Sequence, residues 1–124
     1  MKKILLTLLL LVAGATAMAQ SAADFRAAAE QGDARAQFQL GQCYEKGLGV
    51  DIDSVQAVQW YTRAADQNDP DALYSLGLCY YYAIGVPEDL KKAKACLRKA
   101  IATGKLDTMK VYTANALMGF FGGE

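Results

Sequence analysis

The sequence predicts an all-α superhelix, a solenoid of antiparallel helix pairs with about six helices in total, and three observations lead there. The segment Leu40–Val50, LGQCYEKGLGV, returns 36 residues later as Leu76–Val86, LGLCYYYAIGV. Aligned over 32–67 and 68–103, the two copies share 11 of 36 positions, where ordinary composition gives roughly two or three. Within each copy the apolar residues recur at helical spacing: Ala36, Leu40 and Tyr44, then Ala72, Leu76 and Tyr80, each trio on one helix face. Between helices stand residues that stop and start them, Gly47 and Gly49 in one copy, Gly85 and Pro87 in the other. A period of this length means stacked supersecondary units, none able to bury its apolar face alone.

The elements follow in chain order. Residues 22–31 form a second-type helix without a full repeat, with Phe25 and Ala28 at the positions later held by Tyr61 and Ala64. Asp33 caps the next helix, which carries Ala36, Leu40 and Tyr44, and Asp53 caps the one carrying Ala57, Tyr61 and Ala64. Asp69, with Pro70 in the first turn, and Asp89 do the same for the second copy, whose last helix carries Ala93, Leu97 and Ala100. Gly41 and Gly77 follow the core leucines and face Ala57 and Ala93, so the paired helices approach to the short end of the roughly 8–10 Å range. Residues 105–119 read as a closing first-type helix with Tyr112 and Thr113 in place of the Leu-Gly pair. Leu106, Met109, Tyr112 and Ala116 are expected to face the stack, leaving Leu117, Met118, Phe120 and Phe121 to seal the end or to meet a second copy in a weak homo-oligomer.

Residues 1–19 stand apart. Lys2 and Lys3, the apolar run Ile4–Val12 broken only by Thr7, and Ala17-Met18-Ala19 have the layout of a cleaved secretory signal peptide. The run is about half the roughly 20 residues a membrane span needs, and no cysteine at the junction points to a lipid anchor. The expectation is a periplasmic or secreted chain, 20–124, forming one domain with no stable membrane insertion after cleavage.

Without Lys2 and Lys3, 11 basic residues face 13 acidic ones, which gives no electrostatic reason to bind nucleic acid. The basic residues Lys91, Lys92, Lys94, Arg98 and Lys99 gather on one helix, either as a solvated face or as a surface for an acidic partner or membrane. The chain has no histidine, which removes His-based triads, His metal sites and imidazole acid–base chemistry.

The string Ala36-x3-Leu40-Gly41-x2-Tyr44-x4-Gly49-Val50, followed by Asp53, Ala57, Trp60-Tyr61 and Ala64-Ala65, resembles the Sel-one-like repeat, a longer relative of the tetratricopeptide repeat. The resemblance covers about residues 25–104, and the Gly-Val loop with the 36-residue period distinguishes it from the roughly 34-residue tetratricopeptide pattern. The second copy departs where Cys96 and Leu97 replace Trp60 and Tyr61. The resemblance implies a right-handed superhelix and an inner surface that binds proteins or peptides; no cofactor is expected. Cysteine-rich family members associated with β-lactam binding or hydrolysis suggest an alternative, a cell-wall glycan or β-lactam binding protein with weak or no turnover. Those members carry a cysteine near the end of each second helix, where Ala65 and Ile101 stand here.

Hairpins stacked in this way present the first helix of each unit to the concave side. The residues there not used by the core are Arg35, Phe38, Gln42, Glu45 and Lys46 in the first unit and Asp71, Tyr74, Leu78, Tyr81 and Tyr82 in the second. An exposed group of Phe38, Tyr74, Tyr81 and Tyr82 would form a binding hot spot, since tyrosine combines large contact area with a polar end. For Tyr81 and Tyr82, packing between units is the other reading.

Cys43 and Cys79 sit at equivalent points of neighbouring first helices, beyond the roughly 7 Å Cα limit for a disulfide. Cys79 and Cys96 lie on the two helices of one hairpin and could bond, or could serve as small buried apolar residues. A nucleophilic cysteine has no histidine partner. Ser21, Ser54 and Ser75 are followed three residues on by Asp24, Ala57 and Leu78, so no Ser-x-x-Lys motif exists. The acid pairs Asp51/Asp53 and Glu88/Asp89 fall at loop and cap positions, as helix starters rather than metal ligands. The chain is expected to hold other molecules rather than to catalyse a reaction.

Overall fold

The computed structural model describes residues 20–120, with the side chain of Phe120 left out; the expected leader lies outside the described residues. Six helices and no strands are found among them: α1 Ala22–Glu30, α2 Ala34–Lys46, α3 Ser54–Asp66, α4 Pro70–Tyr82, α5 Leu90–Ala102 and α6 Thr108–Phe120. The tightest pairs are α2 with α3 and α4 with α5, the two hairpins, and each hairpin stacks on the next through α1–α2 and α3–α4 contacts.

The caps expected from sequence are in place. The carboxylates of Asp33, Asp53, Asp69 and Asp89 accept from the backbone N–H three residues on, at Ala36, Gln56, Ala72 and Lys92, over 2.9–3.0 Å. Each satisfies one of the donors that a helix start leaves without an internal partner. The loops repeat bond for bond. Asp53 N–H donates to the Tyr44 carbonyl and Asp89 N–H to the Tyr80 carbonyl, both over 2.9 Å, while Leu48 and Ile84 donate to Cys43 and Cys79. Gly47 closes α2 in the left-handed region, and Ala83 is held there at φ 57° to close α4, a conformation costing an alanine roughly 1–2 kcal/mol.

The paired helices meet where the small residues are. A Cβ on Gly41 would stand 2.6 Å from Tyr61 Cε1, and one on Gly77 would stand 2.9 Å from Leu97 Cδ2, with the Ala57 and Ala93 carbonyls at 3.2 Å. Two clusters result. One holds Leu40, Cys43 and Trp60 with Ala22, Ala29 and Ala36; the other joins the two units through Phe38, Tyr61, Leu73, Leu76 and Cys79.

The end helices depart from expectation, and for one reason. Met109 and Tyr112 are each 71 % exposed and Ala116 is also exposed, so these three do not face the stack. Instead Lys110, Val111, Ala114, Leu117 and Met118 turn inward to varying degrees. Met109, Tyr112 and Ala116 stand 36 residues after Leu73, Leu76 and Tyr80, which are buried or half-buried in the second repeat, whereas on α6 this side is open. No described helix follows α6 to cover it. At the other end, Ala28 is exposed although its counterpart Ala64 is fully buried, because no described first helix precedes α1. Ala22 and Ala29, which turn toward α2, are buried.

Candidate functional site

The first helices α2, α4 and α6 are tied side by side by charge. Arg35 on α2 donates from Nη1 to both carboxylate oxygens of Asp69, at 3.2 and 3.1 Å, and pairs through Nη2 with Asp71 at 2.9 Å. Lys110 on α6 reaches the other Asp71 oxygen at 2.7 Å and Asp107 at 3.4 Å. The result is a line of alternating charge, Asp69–Arg35–Asp71–Lys110–Asp107, crossing all three units. Asp69 is buried and also caps α4, so removing its cation would leave a desolvated carboxylate, a costly state. The Arg35–Asp71 pair is half exposed and contributes less.

Burial alone would raise the Asp71 carboxyl, but the hydrogen bond and charge of Lys110, joined by those of Arg35, outweigh it and hold the group below its ordinary value. A carboxyl depressed by folding adds stability that is complete above the unfolded value of about 4 and is lost as pH falls through the folded value. Urea unfolding at pH 5 and pH 3 should therefore show a smaller loss for Asp71→Asn than for the parent chain; equal losses would mean the line of charge carries no linkage.

These contacts redistribute the residues expected to form one concave surface. Phe38 is a correction: it is 4 % exposed, its ring centroid 5.7 Å from that of Tyr61 and the Arg35 guanidinium 4.6 Å above it. Its position on α2 faces the neighbouring unit, and an apolar ring there is buried by stacking. Arg35 and Asp71 are joined to each other rather than held open. Glu45 accepts the Tyr61 hydroxyl hydrogen at 2.6 Å; burial first, then this carboxylate, hold the Tyr61 phenol far above its ordinary value. Gln42 and Lys46, the counterparts of Leu78 and Tyr82, line with Phe25 and Leu48 a small depression of about 110 Å³ against α1. Tyr74 packs on the inter-unit core with Lys110 Nζ 5.8 Å from its ring centre, and Leu78 is half-buried.

Tyr81 and Tyr82 are the residues that the structure brings together at the surface. Their ring centroids are 4.9 Å apart in an edge-to-face arrangement at 70°, and Tyr82 is 58 % exposed. With Glu88 and Leu90 they line a shallow depression of about 460 Å³. The two units differ here in a linked way. Positions 45 and 61 hold a bonded Glu–Tyr pair, whereas their counterparts 81 and 97 hold Tyr and Leu. With no buried hydroxyl at Leu97 to satisfy, the counterpart of Glu45 is available to be an aromatic ring.

Sequence reasoning passed over Gln37, which is buried, donates to the Ala29 carbonyl at 3.1 Å and accepts from Gln67 Nε2 at 3.0 Å, pinning two inter-unit turns together. Its counterpart is Leu73, so no periodic signal marked it.

In the structure no bond joins Cys79 and Cys96, and Cys43 is likewise free. Cys79 belongs to the core shared with the first unit, where burial first, and then the Glu45 charge, push its thiol up to about 12. Cys96 lies toward Lys92 and Lys99, its thiol raised chiefly by burial. Cys96 packs at the margin of the same core that buries Cys79. Alkylation after unfolding without reductant should add three labels per chain, and one label would reveal a Cys79–Cys96 bond. In the folded chain at pH 7, Cys43 and Cys79 should label only at the rate of opening, because the thiolate is the reactive form.

Among the described residues no helix is long and apolar enough to cross a membrane, and no group of three or more acidic or cysteine side chains is placed to hold a metal ion.

The fold and its charge-tied first helices define a helical-repeat module of stacked antiparallel hairpins. The Sel1 repeat family profile matches residues 34–69 and 70–104, more than half of the chain, and the chain belongs to that family. It places each repeat slightly later than the 32–67 and 68–103 frame read from identities alone. Comparison with curated proteins gives no match. Among solved structures, the chain is similar to a Sel1 repeat protein from Oxalobacter formigenes, with 40% identity and a TM-score of 0.69 over 73% of this chain and 67% of that one. It is similar to c5321, described as a protective antigen present in uropathogenic Escherichia coli strains displaying an SLR fold. That likeness has 34% identity and a TM-score of 0.60 over 75% of this chain, which spans 23% of the antigen. Helicobacter pylori cysteine rich protein B has 29% identity and a TM-score of 0.66 over 72% of this chain and 65% of its own.

Proposed function

We propose that this chain is an exported, non-catalytic interaction module that holds a protein or peptide segment on the first-helix side of its second repeat. Sel1 repeats generally mediate protein–protein interaction, and the observation that carries the reading here is the Tyr81–Tyr82 pair. Two edge-to-face rings, one largely exposed, flank a depression with the exposed Leu90. Aromatic anchors that become buried in a complex dominate interface energies, and tyrosine loses little conformational freedom on binding while offering a hydroxyl to the partner's backbone. Tyr74 and Leu78 continue the surface along α4. Export rests on the layout of residues 1–19, a basic start, an apolar run and a small-residue exit.

The test is a capture experiment from bacterial envelope extract with the immobilised chain. A stoichiometric protein partner is expected, lost with Tyr81→Ala/Tyr82→Ala in a variant whose thermal unfolding matches the parent. Stabilisation by peptidoglycan fragments or penicillin, with no protein captured, would overturn this reading.

A further inference from the structure

The tyrosine depression does not end at Leu90. The same leucine lines a second depression, of about 370 Å³, with Lys91, Lys94 and Arg98. Leu90, Lys94 and Arg98 are spaced four residues apart on α5, so they share one face of the helix, with Lys91 beside them. The surface thus runs from two rings, over an exposed apolar side chain, into a strip of three cations. At its opposite end stands Glu88, close enough to Tyr81 to act on its phenol. The sign of charge therefore changes along the surface, negative at Glu88 and positive from Lys91 to Arg98.

We infer that the occupant of this surface is an acidic peptide segment, with an aromatic or large apolar side chain on Tyr81, Tyr82 and Leu90 and carboxylates directed at Lys91, Lys94 and Arg98. This rests on the recognition surface proposed above and assigns the chemical class of its partner. The rings give contact area and the apolar anchor; the cations select for charge and set direction, since a carboxylate placed at the other end meets Glu88. Lys94 and Arg98 have contacts within the chain already, and a partner carboxylate shares or exchanges these. Charge at such a rim acts mostly on selectivity and rate of encounter, and weakens with salt.

Fluorescence anisotropy with three labelled twelve-residue peptides tests this on the purified chain. One peptide carries Phe and Trp among Asp and Glu; the second has every acid replaced by its amide; the third has them replaced by lysine. The acidic peptide should bind about tenfold more tightly than the amide peptide at low salt, with the advantage shrinking at 0.5 M salt, and the lysine peptide should bind least. Lys91→Gln/Lys94→Gln should reduce the acidic peptide to the level of the amide one while leaving the amide peptide unchanged. Equal binding of acidic and amide peptides, both lost with Tyr81→Ala/Tyr82→Ala, would overturn the acidic assignment and leave the tyrosine surface standing. Binding that survives Tyr81→Ala/Tyr82→Ala would overturn the assignment and count against the tyrosine surface as well. Attachment to phosphatidylglycerol vesicles with no peptide bound would overturn it in favour of a membrane surface.

Discussion

Tyr61→Ala should destabilise the chain by about 3–5 kcal/mol, the loss expected when a large buried aromatic is removed. Tyr61 is fully buried and meets α2 at three places at once. Its ring packs on Phe38 within the core they share, its edge fills the space over Gly41, and its hydroxyl donates to Glu45. Truncation leaves a cavity between α2 and α3 that the rigid hairpin cannot close, and it strips Glu45 of its buried donor. Tyr61→Phe separates these terms. It keeps the ring and loses only the charge-assisted hydrogen bond, for about 1.5–3 kcal/mol. Denaturant unfolding measures both; a Phe variant as damaged as the Ala variant would mean that the hydroxyl, not the packing, holds the first hairpin together.

The second large effect lies across the same contact. Gly41→Val should cost about 3 kcal/mol, the upper part of the overpacking range, because its Cβ alone would sit 2.6 Å from Tyr61 Cε1 and 2.7 Å from Cδ1. Neither the buried ring nor the Ala57 carbonyl behind it has room to retreat. Residues in direct contact do not act additively, and this pair gives a sharp form of that rule. Gly41→Val should be far less damaging in the Tyr61→Ala background, where the valine occupies part of the cavity. Additive losses in that double variant, measured by the same unfolding curves, would show that the two side chains do not oppose each other.

Much of the fold was written in residue types whose roles are local. An aspartate before a helix and a glycine beside a core leucine each have one favoured job, so Asp33, Asp53, Asp69, Asp89, Gly41 and Gly77 could be placed before any coordinates. The closing helix was misjudged because α6 has apolar residues on more than one side. Helical spacing alone cannot choose between Met109, Tyr112 and Ala116 on one side and Val111, Ala114 and Leu117 on the other.

The candidate site was less legible because its key contacts join unlike residues. Arg35 and Asp71 are counterparts in the repeat, with opposite charge at the same place; that reversal was a visible sign that they meet across the stack, but a search for identities discards it. The exchange of Glu45 and Tyr61 for Tyr81 and Leu97 is a second such sign. What distinguishes the proposed recognition surface is where the second repeat abandons the pattern of the first.

The measurement that bears most directly on that surface is residue-resolved NMR of the labelled chain, titrated with whatever partner the capture experiment returns. Shifts are expected at Tyr74, Leu78, Tyr81 and Tyr82 on α4 and at the start of α5 around Leu90 and Lys91. Shifts confined to Gln59, Arg63 and Asp66 on the outward side of α3, with the tyrosines unmoved, would contradict it.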